Sequence, residues 1–190
     1  RTLLRKNKVD LIWGRAALDG VGKLIVADAQ REQAPTGALG AGAYQAGHLI
    51  LATGARPLSL PGIEIDGKLI WSYAQALVPP SMPKSLLVMG AGAIGIEFAS
   101  FYALLGAQVT VVELRPQILP AEDAEIAALL REALEQQGLR ILTGAKVSTV
   151  EKTADSVKVT IDSHQETLEV TAERMISAVG VVGNTDNLGL

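Results

Sequence analysis

A run of strand length, Leu86-Leu87-Val88-Met89, empties into Gly90-Ala91-Gly92-Ala93-Ile94-Gly95, and a second apolar run, Val109-Thr110-Val111-Val112, ends on Glu113. Strand, G-x-G-x-x-G turn, helical stretch, strand and acid in that order make a βαβ unit of the dinucleotide-binding kind. Gly90 permits a tight exit from the strand. Gly92 lets the backbone approach a pyrophosphate with no Cβ in the way, and Gly95 lets the helix pack close to the sheet. The helix begun near Ala93 offers unpaired N–H groups and a positive dipole end, so an anion is held largely by main chain from Ala91 to Gly95. Ile94, Phe98, Phe101 and Leu105 recur at helical spacing, and Gly106 is placed to end the helix.

Glu113 points to NAD. A carboxylate at the end of the second strand accepts hydrogen bonds from ribose hydroxyls and repels a 2′-phosphate. One like-charge pair costs up to ~4 kcal/mol at ~4 Å and an effective dielectric near 20, and ~1.4 kcal/mol is already a tenfold preference. Arg115 is the nearby cation that argues for NADP instead, although the carboxylate precedes it and Arg115-Pro116 reads as the start of a turn.

Composition excludes several classes. A net charge of −3 and a pI near 5.4 give no electrostatic reason to expect nucleic acid or an anionic membrane surface. No apolar run approaches the ~18 residues of a membrane span, and no signal-peptide pattern opens the chain. The expected setting is a bacterial cytoplasm or a mitochondrial matrix. With no cysteine there is no disulfide, thiolate metal site or cysteine nucleophile, and two histidines, His48 and His164, make a histidine metal site unexpected. The 48% hydrophobic content suits a densely packed domain. None of the three methionines lies near Arg1, so the reading is of a segment from within a longer polypeptide.

The proline-dense Val78-Pro79-Pro80-Ser81-Met82-Pro83 reads as a hinge between two unequal parts. Before it, Val9–Trp13, Ala16–Leu18, Leu24–Asp28 and His48–Ala52 read as short strands, with turn composition over Ala34–Gly47 and no core pattern large enough to stand alone. After it the expected order is strand Leu86–Met89, helix Ala93–Leu105, strand Val109–Val112, helix Ala121–Gln137 and strand Leu139–Leu142. The second helix carries Ile126, Leu129, Leu130, Ala133 and Leu134 on one face. Val147–Val150, Ser156–Ile161 and Thr167–Val170 alternate as an antiparallel meander, and Met175–Val179 returns as a buried strand ending in Gly180. The fold class is α/β, a Rossmann-like domain with a parallel sheet and a β-meander, flanked by part of a second domain.

Taken together, His48-Leu49-Ile50-Leu51-Ala52-Thr53-Gly54-Ala55-Arg56-Pro57, Met82-Pro83-Lys84-Ser85, the glycine turn followed by Ile96-Glu97-Phe98, Arg115-Pro116-Gln117-Ile118-Leu119-Pro120 and Ser177-Ala178-Val179-Gly180 resemble the FAD-dependent pyridine nucleotide-disulfide oxidoreductases. The resemblance runs from end to end and is nearest to the lipoamide-reactive branch, the shared flavoprotein component of 2-oxoacid dehydrogenase complexes. It implies FAD and NAD(H) as cofactors, dihydrolipoyl groups as partners and a homodimer. It further implies that 1–78 is part of an FAD-binding domain, 79–180 an NAD-binding domain and 181–190 a return segment. Thr53 and Gly54 would close near the flavin and Ala16 near the FAD adenine. Glu97 would stand beside the nicotinamide, Val147 would line the NAD adenine pocket, and Gly180 would meet the cofactor through its backbone.

Each of these residues has a plainer reading. Thr53-Gly54 suits any strand-to-turn junction, Glu97 is favoured by the helix dipole without a ligand, Val147 is ordinary strand core, and Ala16 has no functional side chain. The family's redox C-x4-C pair, its first G-x-G-x-x-G and its His-Glu acid-base pair do not occur in these residues, so no catalytic residue is assigned. After Gly180 the family's Arg and Pro-Asn are replaced by Val181-Val182-Gly183-Asn184, which keeps only the Asn. A sibling flavoenzyme (mercuric reductase, soluble transhydrogenase or NADH-dependent ferredoxin reductase) and a non-catalytic NAD-sensing module stand as alternatives.

Overall fold

The computed structural model describes residues 2–29, 33–163 and 166–190; His164 lies outside them. The chain forms two compact units, one of residues up to Ala55 together with Gly183–Leu190, the other Arg56–Val182.

In the first unit, helix α1 (Thr2–Lys6) precedes an antiparallel sheet of β1 (Arg15–Leu18), β2 (Lys23–Ala27) and β3 (Gly42–Gln45). Arg15 pairs with Ala27 across one ladder and Lys23 with Gln45 across the other. Val26 is the one hydrophobic residue buried here among the described residues, so the sheet has almost no core of its own. Two expected strands do not form. Val9–Trp13 contributes one bridge, Ile12 to Leu39, and His48–Ala52 has no strand beside it, which leaves Ile50 90% exposed. An apolar run becomes a strand only where a neighbouring backbone takes its N–H and C=O groups. Conversely, β3 forms inside the glycine- and alanine-rich stretch read as turn, because β2 offers it a partner.

The second unit is built on a parallel sheet. Its strands are β5 (Ile70–Trp71), β6 (Ser85–Met89), β7 (Gln108–Glu113), β8 (Arg140–Thr143) and β12 (Arg174–Ser177), and the order is β5-β12-β6-β7-β8. Helices α2 (Tyr73–Leu77), α3 (Ala93–Leu104) and α4 (Ala124–Gln136) join them. The meander of β9 (Ala145–Lys152), β10 (Val157–Ser163) and β11 (Thr167–Ala172) lies before β12, and β4 (Ala55–Pro57) pairs with β13 (Val181–Gly183). Successive residues of a strand point to opposite faces, and a parallel strand is covered on both. Leu86 and Val88 accordingly meet Ile96, Ala99 and Tyr102 of α3, while Leu87 and Met89 meet Val147, Val157 and Val159 of the meander.

The division between units is not at the proline-dense segment. Ile70 and Trp71 are wholly buried and pair in parallel with Met175 and Ile176, and the Tyr102 hydroxyl donates to the Ala76 carbonyl at 2.7 Å. Residues 56–78 therefore belong with the second unit, and Val78–Pro83 is a loop inside it.

Both long helices turn inward a face that only partly matches the expected one: Leu134 of α4 is buried, and Leu130 and Phe98 pack against the core, but the rest of each face differs. On α3 the buried residues are Gly95, Ile96, Ala99 and Tyr102, whereas Phe101 is 52% exposed. The helix is apolar nearly all round, so periodicity cannot select a face, and its small residues take the place against the sheet. On α4, Ala127 and Leu134 are buried and Ile126 and Leu129 exposed. That helix also begins later than expected. The Asp123 carboxylate caps it by accepting the N–H groups of Glu125 and Ile126, which leaves Ala121 in the preceding turn.

Candidate dinucleotide site

Three glycines shape the turn between β6 and α3, each for a different reason. Gly90 has φ +100°, and a Cβ on it would stand 2.5 Å from the Ala178 carbonyl oxygen. A Cβ on Gly95 would overlap the carbonyl oxygen of Gly90 itself. Gly92 has an ordinary φ of −69° and nothing within 4 Å of where its Cβ would be. Neither folding nor packing requires a glycine there. What its absent side chain leaves is open space at the N-cap of α3, where no side chain caps the helix. The first helical bond at this end runs from the Ile96 N–H to the Gly92 carbonyl, so the N–H groups of Ala93, Ile94 and Gly95 have no partner within the helix.

Glu113 is woven into the same turn. Its carboxylate accepts the Ala91 N–H at 2.7 Å through one oxygen and the Arg115 N–H at 2.8 Å through the other. Only 8% of the residue is exposed. An ionised carboxylate has about four lone-pair positions, so two bonds from the main chain leave capacity for ribose hydroxyls. The Gly90 N–H to Val112 and the Leu119 N–H to Ala91 complete the lacing.

A cleft of about 640 Å³ lies at the carboxyl ends of β6, β7 and β12, entirely within the second unit. Of the residues singled out from the sequence, Gly90, Gly92, Glu113, Val147 and Gly180 line it. Val147 also belongs to the core, with 8% of its surface exposed, so its plain and its functional readings both hold for its position. Ala91 and Gly95 are buried behind the turn, while Ala93, Ile94 and Glu97 lie on exposed positions of the first turns of α3, outside the cleft lining. The cleft opens where the chain leaves β6 toward β7 on one side and returns as β12 on the other, the kind of switch point at which open α/β sheets take ligands.

Sequence reasoning missed Leu58, Leu60 and Lys146 in the lining. Leu58 and Leu60 come from a segment with no periodicity, and the one local signal is the Pro61-Gly62 turn that brings Leu60 over the strand ends. Arg115 and Lys146 line the cleft together with Glu113, so two cations accompany the acid.

Thr53, Gly54 and Ala16 fall in the first unit. The Thr53 hydroxyl donates to the Asn184 carbonyl at 2.7 Å, the Asn184 amide donates to the Thr53 carbonyl at 3.2 Å, and the Asn184 N–H to the Gly54 carbonyl at 2.9 Å. Gly54 needs its φ of +77°. Ala16 sits in β1 opposite Val26. Among the described residues no cluster of three or more His, Asp or Glu could hold a metal ion, and no helix is long and apolar enough to cross a membrane.

Similarity to known proteins identifies the family. The model of the pyridine nucleotide-disulphide oxidoreductase family matches residues 1–190. A dihydrolipoyl dehydrogenase of Rhizobium etli is 54% identical over 99% of this chain, and the match covers 40% of that protein. Among solved structures, LpdA of Mycobacterium tuberculosis superposes with a TM-score of 0.80 at 31% identity, covering 99% of this chain and 40% of its own. A ferredoxin reductase of Rhodopseudomonas palustris superposes at 0.72 with 27% identity, covering 98% of this chain and 45% of its own. The chain thus spans about two-fifths of the length of the curated relatives it matches. A family match over every residue, together with relatives alike over nearly the whole chain, leads to one assignment: the chain belongs to the pyridine nucleotide-disulphide oxidoreductases.

Proposed function

We propose that the cleft of the second unit binds NAD(H), with the diphosphate over Gly92, a ribose at Glu113 and the other nucleoside toward Gly180. The observation that carries this reading is Gly92, whose missing Cβ would meet no protein atom and opens the approach to the unpaired N–H groups of α3. The volume of about 640 Å³ suits a nucleotide cofactor. Glu97, Ala93 and Ile94 are placed on the same helix end and would meet the part of the ligand that extends beyond the cleft.

In the whole protein we propose the role of a dihydrolipoyl dehydrogenase, supported by the 54% identity to a protein of that name. When bound and reduced by the two electrons that dihydrolipoyl groups of a 2-oxoacid dehydrogenase complex give up on becoming disulfides, FAD would supply the hydride that NAD⁺ accepts, in a homodimer in the cytoplasm or mitochondrial matrix. This chain's own residues bind and orient the dinucleotide. Thr53, Gly54 and Ala16 are the first unit's candidates for FAD contact, with the Thr53 hydroxyl already bonded to Asn184, so they carry no further step.

Titrating the protein with NADH and NADPH tests the reading. NADH should bind with the higher affinity. Absence of binding by either overturns it, and preferential binding of NADPH would assign Arg115 and Lys146, rather than Glu113, the control of specificity. A sibling flavoenzyme such as a ferredoxin reductase is separated by whether the whole protein turns over dihydrolipoamide.

A further inference from the structure

The segment between β4 and β5 leaves the carboxyl edge of the sheet beside Gly180 and returns to the amino end of β5, a strap pinned at three points. At its start the Leu58 N–H donates to the Gly180 carbonyl at 3.0 Å. In its middle Pro61-Gly62 makes a turn, with Gly62 at φ +80° and the Ile63 N–H donating to the Leu60 carbonyl, and Ile63 is buried in the meander-side core. At its end Asp66 accepts the N–H groups of Lys68, Leu69 and Ile70 at 2.8, 2.9 and 3.0 Å and pairs with Lys152 of β9 at 2.8 Å.

Leu58 and Leu60 both line the cleft, but they are not alike. Leu60 packs against the core and so has a structural use. Leu58 is 37% exposed and belongs to neither core cluster, yet its backbone is tied to Gly180 on the β12 side of β6, across that strand from Glu113 on β7. With a ribose at Glu113 and the diphosphate at Gly92, the second nucleoside falls on Leu58's side.

We propose that Leu58 is a cofactor-positioning residue, the apolar wall that meets the nicotinamide half of the bound dinucleotide. The inference rests on the dinucleotide reading of the cleft and adds to it the contact for the base on the β12 side. Strap and β12 would then act together, Gly180 through its backbone and Leu58 through its side chain.

The test compares NADH with ADP-ribose, which lacks the nicotinamide ring, on the intact protein by calorimetric or fluorescence titration. Leu58→Ser should weaken NADH about tenfold, the factor that corresponds to ~1.4 kcal/mol, leave ADP-ribose within about twofold and leave the melting temperature in place. Leu58→Met should restore NADH affinity, because the apolar wall returns. Equal weakening of both ligands, or of neither, overturns the proposal. Wild-type protein that binds neither ligand overturns the dinucleotide reading itself, and the role of Leu58 with it.

Discussion

Glu113 and Ala91 are joined by a 2.7 Å hydrogen bond that ties the end of one strand to the glycine turn at the end of its neighbour. The carboxylate therefore has a structural duty that precedes any ligand. Glu113→Ala should weaken NADH by roughly 1–3 kcal/mol, the range for a lost charged hydrogen bond, and narrow the preference over NADPH. It should also lower the melting temperature, since two backbone N–H groups lose their acceptor. Paired titrations with NADH and NADPH on wild type and variant check this, and unchanged selectivity would remove Glu113 from ligand recognition.

The glycines of the turn should separate cleanly under substitution. Gly95→Ala drives a Cβ into the Gly90 carbonyl and must shift backbone, so a loss of about 1–3 kcal/mol or more is expected in chemical denaturation. Gly92→Ala meets nothing in the protein and should cost under ~1 kcal/mol, mostly from a poorer N-cap. Its NADH affinity should nonetheless fall at least tenfold. Intact binding by Gly92→Ala would show that the opening at the N-cap is not used.

Asp66 gives a pH-dependent contribution whose sign is fixed by its surroundings. Partial burial works against ionisation, but the Lys152 ammonium and three backbone N–H donors outweigh it and hold the carboxyl well below the usual carboxylate range. A lowered pKa stabilises the folded state above the unfolded value of ~3.9, and the gain disappears as pH falls through the native value. The site is partly open to solvent, so Asp66→Asn should cost no more than ~1 kcal/mol at pH 7. Urea denaturation at pH 7, 5 and 3 should show the difference from wild type constant above pH 5 and shrinking at pH 3.

Ser177 stands at the end of β12 with 6% of its surface exposed, and its hydroxyl has no hydrogen-bond partner among the described residues. Removing an unpartnered buried hydroxyl relieves a desolvation penalty of ~1–3 kcal/mol at most. Ser177→Ala should be neutral or raise the melting temperature. A clear loss of stability would mean that the hydroxyl is bonded to ordered water.

The βαβ core was legible because its strands are buried on both faces and therefore read as unbroken apolar runs, Leu86–Met89 and Val109–Val112, bounded by glycine and acid. The same kind of signal misled at His48–Ala52, where apolar residues announce a strand but nothing in the described chain lies alongside to hydrogen-bond with it. Facing was illegible on α3, since residues apolar in every direction carry no phase, and the choice fell to the small Gly95 and Ala99 that admit the sheet. Of the candidate site, the glycines and Glu113 could be read locally. Leu58 could not, because it reaches the cleft only through a bond to Gly180, more than a hundred positions away.

The insertion of β12 between β5 and β6 has a consequence for biogenesis. Leu86 pairs with Arg174, so one edge of β6 stays open while the helices and meander emerge from the ribosome. Such distant pairing is slow, and an unpaired apolar edge invites association with other chains. Translation halted before residue 174 would leave β6 bare along that side and the candidate cleft without its Gly180 wall, so nascent product of that length should depend on chaperones until β12 closes the sheet.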